Sequence, residues 1–170
     1  MPTIVTQTLD QFIPTNAQPY YEIASARPQL TMVNGQSVLA FDELDIITFA
    51  SIWDMGYADG GIRVTIEWAA ATALSGTCIW RYSIERHQQG TTSLFPNTLA
   101  GNTGAFTNLG TVSATPDPVL GRPVYSSVTF AHGALIGIQR GEGYRLTVKR
   151  DASTMLGRAY LYSVEITNLT

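Results

Sequence analysis

Carboxylates are the side chains of this sequence whose types and spacing come closest to acid–base chemistry. Two acids that converge in a cleft can act as general acid and general base, and the candidates are Glu67 with Glu85, or the cluster Asp42, Glu43 and Asp45. The cluster stands at a turn that leads into a segment from Asp45, where Asp side chains satisfy local backbone N–H groups. Its spacing matches no calcium-binding motif. We therefore expect a structural role for the cluster.

Glu67 has a second interpretation, as one half of an ion pair. The segments Ile62 to Trp68 and Cys78 to Arg86 both alternate between apolar and polar residues. If these two segments form a hairpin, Glu67 and Arg81 fall on the same outward face, close enough for a cross-strand ion pair. The hairpin predicts this pairing rather than catalysis by Glu67 and Glu85.

Other chemistry-bearing groups are too few or too isolated to form a catalytic or metal site. His87 and His132 are the only histidines, and no neighbouring Cys or His supports a zinc site. Cys78, the single cysteine, lies on the apolar face of its segment, as a small core residue does. No G-x-S-x-G motif occurs, and Gly141-Glu142-Gly143 leads into a predicted strand rather than a helix. The sequence predicts a protein that is not an enzyme and uses no cofactor or metal.

Aromatic residues offer the one serious route to ligand binding, because a flat group of rings can stack on sugars. The candidates are Trp53, Tyr57, Trp68, Trp80, Tyr125, Tyr144, Tyr160 and Tyr162. Five of them share faces with Ile, Leu and Val and are expected in the core, namely Trp68, Trp80, Tyr144, Tyr160 and Tyr162. Trp53 and Tyr57 flank a loop, and they are the predicted contacts if a glycan is bound.

Strands must position these side chains, because the chain alternates apolar and polar residues with the period of half-buried strands and shows no convincing helix. The alternation is clearest at residues 61–69, 77–87, 124–130, 144–150 and 158–167. Asn34-Gly35, between the segments 29–33 and 37–41, is a typical hairpin turn. One helical turn is conceivable around 134–138. The sequence predicts an all-β protein of eight to ten strands.

The chain divides into an N-terminal arm and a single strand-rich body. Residues 1–19 are apolar in parts and broken by Pro14 and Pro19, which predicts an extended arm packed on the body or on a neighbour. Residues 20–170 form one β-sandwich domain. Within it, 88–122 is punctuated by Gly, Pro and Asn and predicts a long loop, in which only 109–113 looks strand-like. Long connections that cross between two sheets favour a jelly-roll antiparallel sandwich. The Cys-Trp-Cys arrangement of immunoglobulin domains is absent, which disfavours an immunoglobulin-like sandwich.

Composition narrows the classes of function and partner. The 170 residues suffice for one domain with a substantial core, and only 14% are charged. The net charge of −3 provides no basic patch for phosphates, so a nucleic-acid partner is not expected. The sequence shows neither a charged leader before an apolar run nor an apolar stretch near the roughly 18 residues of a membrane span. We expect neither export by a signal peptide nor a membrane partner.

Several segments taken together resemble a family of small tailed-bacteriophage virion proteins. The segments are Phe41-Asp42-Glu43, Ile62 to Trp68, Thr77 to Trp80, Tyr144 to Asp151 and Ala159 to Ile166, and they recur in this order in that family. The resemblance spans roughly residues 40 to 167. It implies a jelly-roll domain displayed on a phage particle as a capsid cement (decoration) protein, a head fibre or part of a tail appendage.

The resemblance also implies partners, a location and a set of contact residues. A cement protein would bind the major capsid protein, act as a homotrimer and reside on the capsid surface of a virion assembled in the host cytoplasm. The apolar residues of the arm would then contact the capsid, namely Ile4, Val5, Leu9, Phe12 and Ile13. The alternative is a tail-appendage or head-fibre module that binds host glycan or receptor, through Trp53 and Tyr57.

Overall fold

A computed structural model describes residues 3–8, 28–52, 57, 59–87, 107–135, 137 and 139–169 of the chain. Ten strands and one 3-10 helix make up its regular structure in those residues. The strands are β1 Thr3–Thr8, β2 Gln29–Val33, β3 Gln36–Phe41, β4 Ile46–Ile52, β5 Ile62–Ala70, β6 Cys78–His87, β7 Thr107–Ala114, β8 Val124–Phe130, β9 Gly143–Asp151 and β10 Ala159–Asn168. The 3-10 helix is His132–Leu135, close to the helical turn expected around 134–138.

Two antiparallel sheets form a sandwich of the jelly-roll type, as the sequence predicts. The six-stranded sheet has the order β2-β3-β10-β5-β8, with β1 also paired to β10. The four-stranded sheet has the order β4-β9-β6-β7. Neighbours in each sheet are mostly distant in sequence, because the chain crosses repeatedly from one sheet to the other. The described residues from 28 onward thus build one core, and the backbone of β1 pairs with β10.

The β2–β3 hairpin confirms the prediction made from Asn34-Gly35. Val33 pairs with Gln36, so the turn contains only these two residues. Asn34 and Gly35 both have positive φ angles, 51° and 82°, as a two-residue turn of type I′ requires. Asn tolerates this conformation better than most residues and Gly adopts it freely.

Aromatic rings from opposite sheets meet in the core. The ring of Trp80 in β6 contacts Phe41 and Trp68 edge-on, with centroids 5.3 Å and 5.9 Å away. The rings of Tyr82 and Phe130 lie 6.1 Å apart in the same kind of contact. Such edge-to-face pairs add to the stabilisation from burying the rings. Of the five aromatics expected in the core, four are buried and Tyr160 is partly buried against it.

The predicted hairpin of Ile62–Trp68 with Cys78–Arg86 is wrong. β5 pairs with β8 and β10, whereas β6 pairs with β7 and β9 in the other sheet. The two segments face each other across the core and put their polar residues on opposite outer faces. Glu67 therefore does not pair with Arg81, which forms an ion pair with Asp151 instead.

Two predicted boundaries need adjustment. Residues 3–8 of the expected arm form β1, whose backbone pairs with Ser163 to Thr167 of β10 and so belongs to the sandwich. The expected loop 88–122 contains β7, which extends the strand-like piece 109–113 in both directions. Residues 9–27 and 88–106 lie outside the described residues, as does the strand expected from Tyr20.

Arg150 fastens the loops at one end of the sandwich. Its side chain is only 1% exposed and donates hydrogen bonds to the carbonyl oxygens of Phe41 (3.0 Å), Met155 (2.8 Å) and Gly157. Because these carbonyls belong to β3 and to the β9–β10 loop, one buried guanidinium replaces water for three backbone acceptors.

Candidate functional site

The outer face of the six-stranded sheet carries a row of functional side chains. Strand register places Tyr125 of β8 opposite Glu67 of β5, and Glu67 opposite Ser163 of β10. The next row of the same face contains Ser127 and Thr65. These positions alternate with core positions such as Ile66, so all five side chains point away from the core. We call Glu67, Tyr125, Ser163, Thr65 and Ser127 the Glu67 surface.

Hydrogen bonds organise this surface around the Glu67 carboxylate. Tyr125 donates from its hydroxyl to Oε1 of Glu67 across 3.1 Å, and Ser163 donates from Oγ to Oε2 across 3.2 Å. Thr65 and Ser127 share a hydroxyl–hydroxyl hydrogen bond of 2.8 Å in the neighbouring row. The carboxylate is therefore held in place from two strands, and each oxygen still has capacity to accept from a ligand hydroxyl.

Tyr125 presents an aromatic ring to solvent. It is 70% exposed, more than any other aromatic residue that the structure describes. Its hydrogen bond to Glu67, followed by the negative charge of that carboxylate, raises the pKa of the phenol. A ring whose hydroxyl is anchored loses little further freedom when a flat ligand stacks on it.

A β-bulge in β10 places another tyrosine, Tyr162, near Glu67. The register shifts between Leu161 and Ser163, which makes Tyr162 the additional residue. Burial is the main cause that raises the pKa of Tyr162, and the charge of Glu67 and then Tyr160 contribute to it. The carboxylate is thus flanked by an exposed ring on β8 and by mostly buried rings on β10.

Polar groups continue the surface to one end of β10. Arg158, just before β10, forms a two-pronged ion pair with Asp42, both contacts at 3.0 Å, and donates to the Gln29 side chain at 3.1 Å. Paired guanidinium and carboxylate groups of this kind can still make hydrogen bonds to sugar hydroxyls at their unused edges.

The opposite end of the same face is also polar. Arg63 in β5 lies between Thr129 of β8 and Thr167 of β10, and Thr167 donates to the Arg63 carbonyl at 3.4 Å. In contrast, the outward positions of β9 in the other sheet are largely buried, as Arg145 and Thr147 illustrate. The described outer face of β5, β8 and β10 is thus both polar and accessible.

The cluster Asp42, Glu43 and Asp45 has the structural role predicted for it. Asp42 pairs with Arg158, and Oε1 of Glu43 accepts from the Ser153 N–H at 2.7 Å. Oδ2 of Asp45 accepts from the Asp42 N–H at 2.7 Å, while burial raises the pKa of the Asp45 carboxyl. Each acid thus stabilises a loop. The side chain of Glu85 lies outside the described residues, but its backbone belongs to β6, which is in the other sheet from Glu67.

Tyr57 is not available to a glycan, contrary to the role predicted for it. Its side chain is 0% exposed, and a 2.8 Å hydrogen bond joins its hydroxyl to Nδ1 of His132. The two rings also pack against each other, with centroids 5.6 Å apart. A fully buried ring cannot stack on a sugar. Trp53, the other predicted contact, lies outside the described residues.

Metal-binding and membrane-spanning features are absent from the part of the chain that the structure describes. None of its His, Cys, Asp and Glu side chains form a group of three that could hold a metal ion. Across those same ranges, no helix has the length and apolar character that crossing a bilayer requires. Cys78 is a buried free thiol, as expected, and its pKa is raised to about 12 by burial.

The structure describes only two of the five arm residues that are expected to contact the capsid. Ile4 and Val5 belong to β1, where Val5 pairs with Ile166 through the backbone. Leu9, Phe12 and Ile13 lie outside the described residues. The capsid role of these five residues therefore stays a prediction.

The sequence shows Tyr125 as one of several aromatic residues that could stack on a sugar, but it predicts no specific role for this residue. Its position in β8, between the inward-facing residues Val124 and Ser126, was a usable signal, because it puts a large ring on a polar face. The proximity of Glu67 was not readable from the sequence, since β5 and β8 pair only in the folded chain.

Comparisons with solved structures support the same fold. The carbohydrate-binding module CBM6cm-2 from Cellvibrio mixtus lichenase 5A, solved with cellotriose, has a TM-score of 0.54 and 11% identity over 99% of this chain and 100% of that one. The xylan-binding module CBM15 has a TM-score of 0.53 and 8% identity over 98% of both chains. The K1 cleaved adhesin domain of Lys-gingipain from Porphyromonas gingivalis W83 has a TM-score of 0.52 and 14% identity over 99% and 100%.

Sequence comparisons assign the chain to no family. No family model matches the chain, and no curated protein matches it. At identities this low, the structural similarity concerns the fold alone. The chain is an all-β, jelly-roll sandwich that shares its architecture with carbohydrate-binding modules and adhesin domains.

Proposed function

We propose that this chain is a non-catalytic carbohydrate-binding module that holds a glycan on the Glu67 surface. The observation that carries the proposal is the exposed Tyr125 ring, fixed by its hydrogen bond to Glu67 on an otherwise polar sheet face. Sugar rings present apolar C–H faces and hydroxyl edges, which suit one stacking ring surrounded by acceptors and donors.

The surroundings of Tyr125 support this function. Glu67 offers acceptor oxygens, while Ser127 and Thr65 offer hydroxyls that both donate and accept. The surface extends over three adjacent strands, which are about 4.8 Å apart from one to the next. A flat site of this kind suits an extended oligosaccharide better than a single small molecule, which would require a deeper pocket.

The fold supports the proposal as well, because the carbohydrate-binding modules named above match the chain over nearly its full length. A fold by itself does not carry function, so the proposal rests on the residues of the Glu67 surface. Their polar contacts are compatible with binding alone, since Glu67 is the one carboxylate among the five.

Titration calorimetry with cello-oligosaccharides and xylo-oligosaccharides, complemented by a glycan array, tests the proposal. We expect a weak, saturable interaction with at least one glycan. Tyr125→Ala should weaken it at least about tenfold. Tyr125→Phe, which keeps the ring and loses the hydroxyl, should have a smaller effect.

Leu120→Ala is the matched control, because this exposed side chain lies on the β7–β8 loop outside the Glu67 surface. It should leave the affinity unchanged. A glycan that bound the Tyr125→Ala variant as tightly as wild type would place the site elsewhere on the molecule. No binding to any glycan, in protein with a normal β-sheet circular dichroism spectrum, would reject the function.

The tailed-phage resemblance supplies a setting in which such a module would act. On a tail appendage or a head fibre, a glycan-binding domain would attach the particle to host-surface sugars. Weak single sites become effective there because many copies bind at once. We propose this setting together with the function. Antibodies raised against this chain would test it by their binding to intact phage particles.

Capsid cement is the second candidate, and the apolar character of the arm favours it. Because β1 pairs with β10 along Ser163 to Thr167, a capsid contact by the arm would use mainly residues 9–19. Co-sedimentation with expanded capsids that lack this protein tests the idea. The double variant Phe12→Asp/Ile13→Asp leaves the residues of β1 unchanged. It should abolish capsid binding if the arm is the anchor.

Binding of three copies per local threefold position would agree with the homotrimer implied by the resemblance. Capsid binding by wild type and the double variant alike would remove the arm from the contact. Absence of capsid binding by folded protein would leave the glycan-binding role as the remaining function.

A further inference from the structure

Tyr125 and Glu67 present an aromatic ring and a carboxylate side by side on the outer sheet face. The Tyr125 hydroxyl donates to Oε1 of Glu67 at 3.1 Å, and the tyrosine is 70% exposed. The carboxylate therefore lies just beyond the phenol end of an accessible ring. A single ligand group placed against this end of the ring would contact both side chains.

The negative charge of Glu67 is not paired with a cation in the part of the chain that the structure describes. Its two oxygens accept from the hydroxyls of Tyr125 and of Ser163, the second at 3.2 Å, and both donors are neutral. The ion pairs of the described residues involve other acids. The hydrogen bond to Glu67, and then its charge, raise the pKa of Tyr125. Two hydroxyls thus orient the carboxylate and leave its charge uncompensated.

The basic residues described on this face are too distant to neutralise Glu67. Arg63 is four residues away along β5, so the two Cα atoms are about 13 Å apart. Arg158, near the other end of the face, is paired with Asp42 at 3.0 Å. Register places Glu165 of β10 in the row next to Glu67, which adds a second acid rather than a base.

A protonated amine is the ligand group that suits a ring beside an uncompensated carboxylate. An ammonium group is attracted to the face of an aromatic ring. It also forms a charge-assisted hydrogen bond to a carboxylate, roughly twice as strong as a bond between neutral groups. Glu67 is partly buried, which strengthens its attraction for a positive charge relative to a fully solvated acid. An acidic sugar at this position would be repelled.

The neighbouring row of the Glu67 surface suits a sugar rather than a simple amine. Thr65 and Ser127 share a hydroxyl–hydroxyl bond of 2.8 Å, and each keeps further capacity to donate or accept. They lie two residues from Glu67 and Tyr125, which is about 7 Å along the strands. The hydroxyls of an adjoining sugar would reach this row, whereas a lysine side chain has none to offer.

We propose that the Glu67 surface selects glycans made of amino sugars with free, protonated amines over neutral and acidic glycans. This inference rests on the proposed glycan-binding function and names its ligand class. Tyr125 supplies the ring and Glu67 supplies the negative charge that together hold the amine. The hydroxyls of Thr65 and Ser127 orient the adjoining sugar.

Titration calorimetry at mildly acidic pH and about 0.15 M salt tests the proposal with three oligosaccharides of equal length. They are oligomers of glucosamine, of N-acetylglucosamine and of galacturonate. We expect the glucosamine oligomer to bind about tenfold tighter than the N-acetylated one, and the galacturonate oligomer to bind most weakly. Glu67→Gln keeps an acceptor for the Tyr125 hydroxyl and removes the charge. This variant should still bind the N-acetylated oligomer but should lose the preference for glucosamine.

Glu165→Gln is the matched control, because it removes the same charge from the next row of the same face. It should retain the preference. Equal loss of the preference in both variants would assign it to the overall charge of the face and would overturn the proposal. Oligolysine of the same charge that bound as tightly as the glucosamine oligomer would reveal a general cation site, and would also overturn it.

The same titrations separate this inference from the function on which it rests. Wild type that bound the three oligosaccharides equally, or that preferred the neutral or the acidic one, would overturn the amine selectivity while the glycan-binding function stands. Folded wild type that bound no glycan of any class would reject both.

Discussion

Tyr125 and Glu67 are joined by a side-chain hydrogen bond of 3.1 Å, although they are 58 positions apart in the chain. The bond exists because the register of β8 on β5 places the two residues directly opposite each other on the outer face. It fixes an exposed ring above a polar sheet, which is the basis of the proposed glycan site. It also makes the site measurable without any ligand.

The Tyr125 phenol should titrate above the ordinary tyrosine range. Its ionisation would lose the hydrogen bond to Glu67 and place a second negative charge beside the carboxylate, so the pKa is raised. The hydrogen bond is therefore complete at neutral pH and is lost only as pH rises through this raised pKa. An ultraviolet difference titration of wild type against Tyr125→Phe isolates the phenol.

Glu67→Gln provides the control for this titration. The substituted amide would retain an acceptor for the Tyr125 hydroxyl but remove the negative charge, so the Tyr125 pKa should move back toward its usual value of about 10. An identical titration curve in this variant would show that the carboxylate does not control the phenol.

Loss of the Arg150 guanidinium should destabilise the fold strongly. Arg150→Met leaves the carbonyls of Phe41 and Met155 without their donor at a buried site. We expect the free energy of unfolding to fall by about 3 kcal/mol. Urea unfolding followed by tryptophan fluorescence measures it, because Trp68 and Trp80 are fully buried.

Arg158→Met is the matched control, since Arg158 forms an exposed ion pair rather than a buried set of hydrogen bonds. Its effect on the free energy of unfolding should be much smaller than that of Arg150→Met. Equal effects of the two substitutions would contradict the role assigned to Arg150 in fastening the loops.

Cys78 should be inert toward thiol reagents in the folded protein. Burial raises the pKa of this thiol to about 12, and the nearby Arg150 guanidinium only partly opposes the effect. Because the thiolate is the reactive form, Ellman's reagent at mildly alkaline pH should react within seconds in denaturant and hardly at all in native protein. Rapid reaction of the native form would mean that the β6 end of the core opens readily.

Two glycines with similar φ angles should differ in their tolerance of alanine. Gly35 and Gly76 have φ angles of +82° and +92°, so both substitutions introduce the same kind of backbone strain. A Cβ at Gly35 would meet nothing, whereas one at Gly76 would lie 2.6 Å from the Thr154 carbonyl oxygen and 2.8 Å from Met155 backbone atoms.

Gly76→Ala should therefore lower the free energy of unfolding by about 2 kcal/mol more than Gly35→Ala does. The change in unfolded-chain entropy is the same in both variants and cancels in the difference. Thermal unfolding of the two proteins under one buffer condition provides the comparison. Similar midpoints would indicate that the β5–β6 loop can move away from Thr154.

Local patterns in the sequence predict much of the fold because they report on local geometry. Alternation identifies β5, β6, β8, β9 and β10 within one or two residues of their observed ends. The same alternation places Trp68 and Trp80 in the core, where their rings meet. Asn34-Gly35 predicts its hairpin because two positive φ angles in succession suit few other residue pairs.

The partners of each strand are decided by the tertiary structure. Alternation shows that β5 and β6 each have an apolar face, but two such faces can lie side by side in one sheet or oppose each other across a core. The folded chain uses the second arrangement, which separates Glu67 from Arg81 and joins each to a different residue. The expected ion pair fails for this reason.

The sequence by itself determined the class of fold, the positions of most strands, and the roles of the acidic turn and of Cys78, because these depend on short-range backbone and solvation preferences. The tertiary structure alone decided the Glu67 surface and the burial of Tyr57 against His132. Each of these depends on contacts between residues far apart in the chain, and the long-range register that creates them leaves no signature in a single segment.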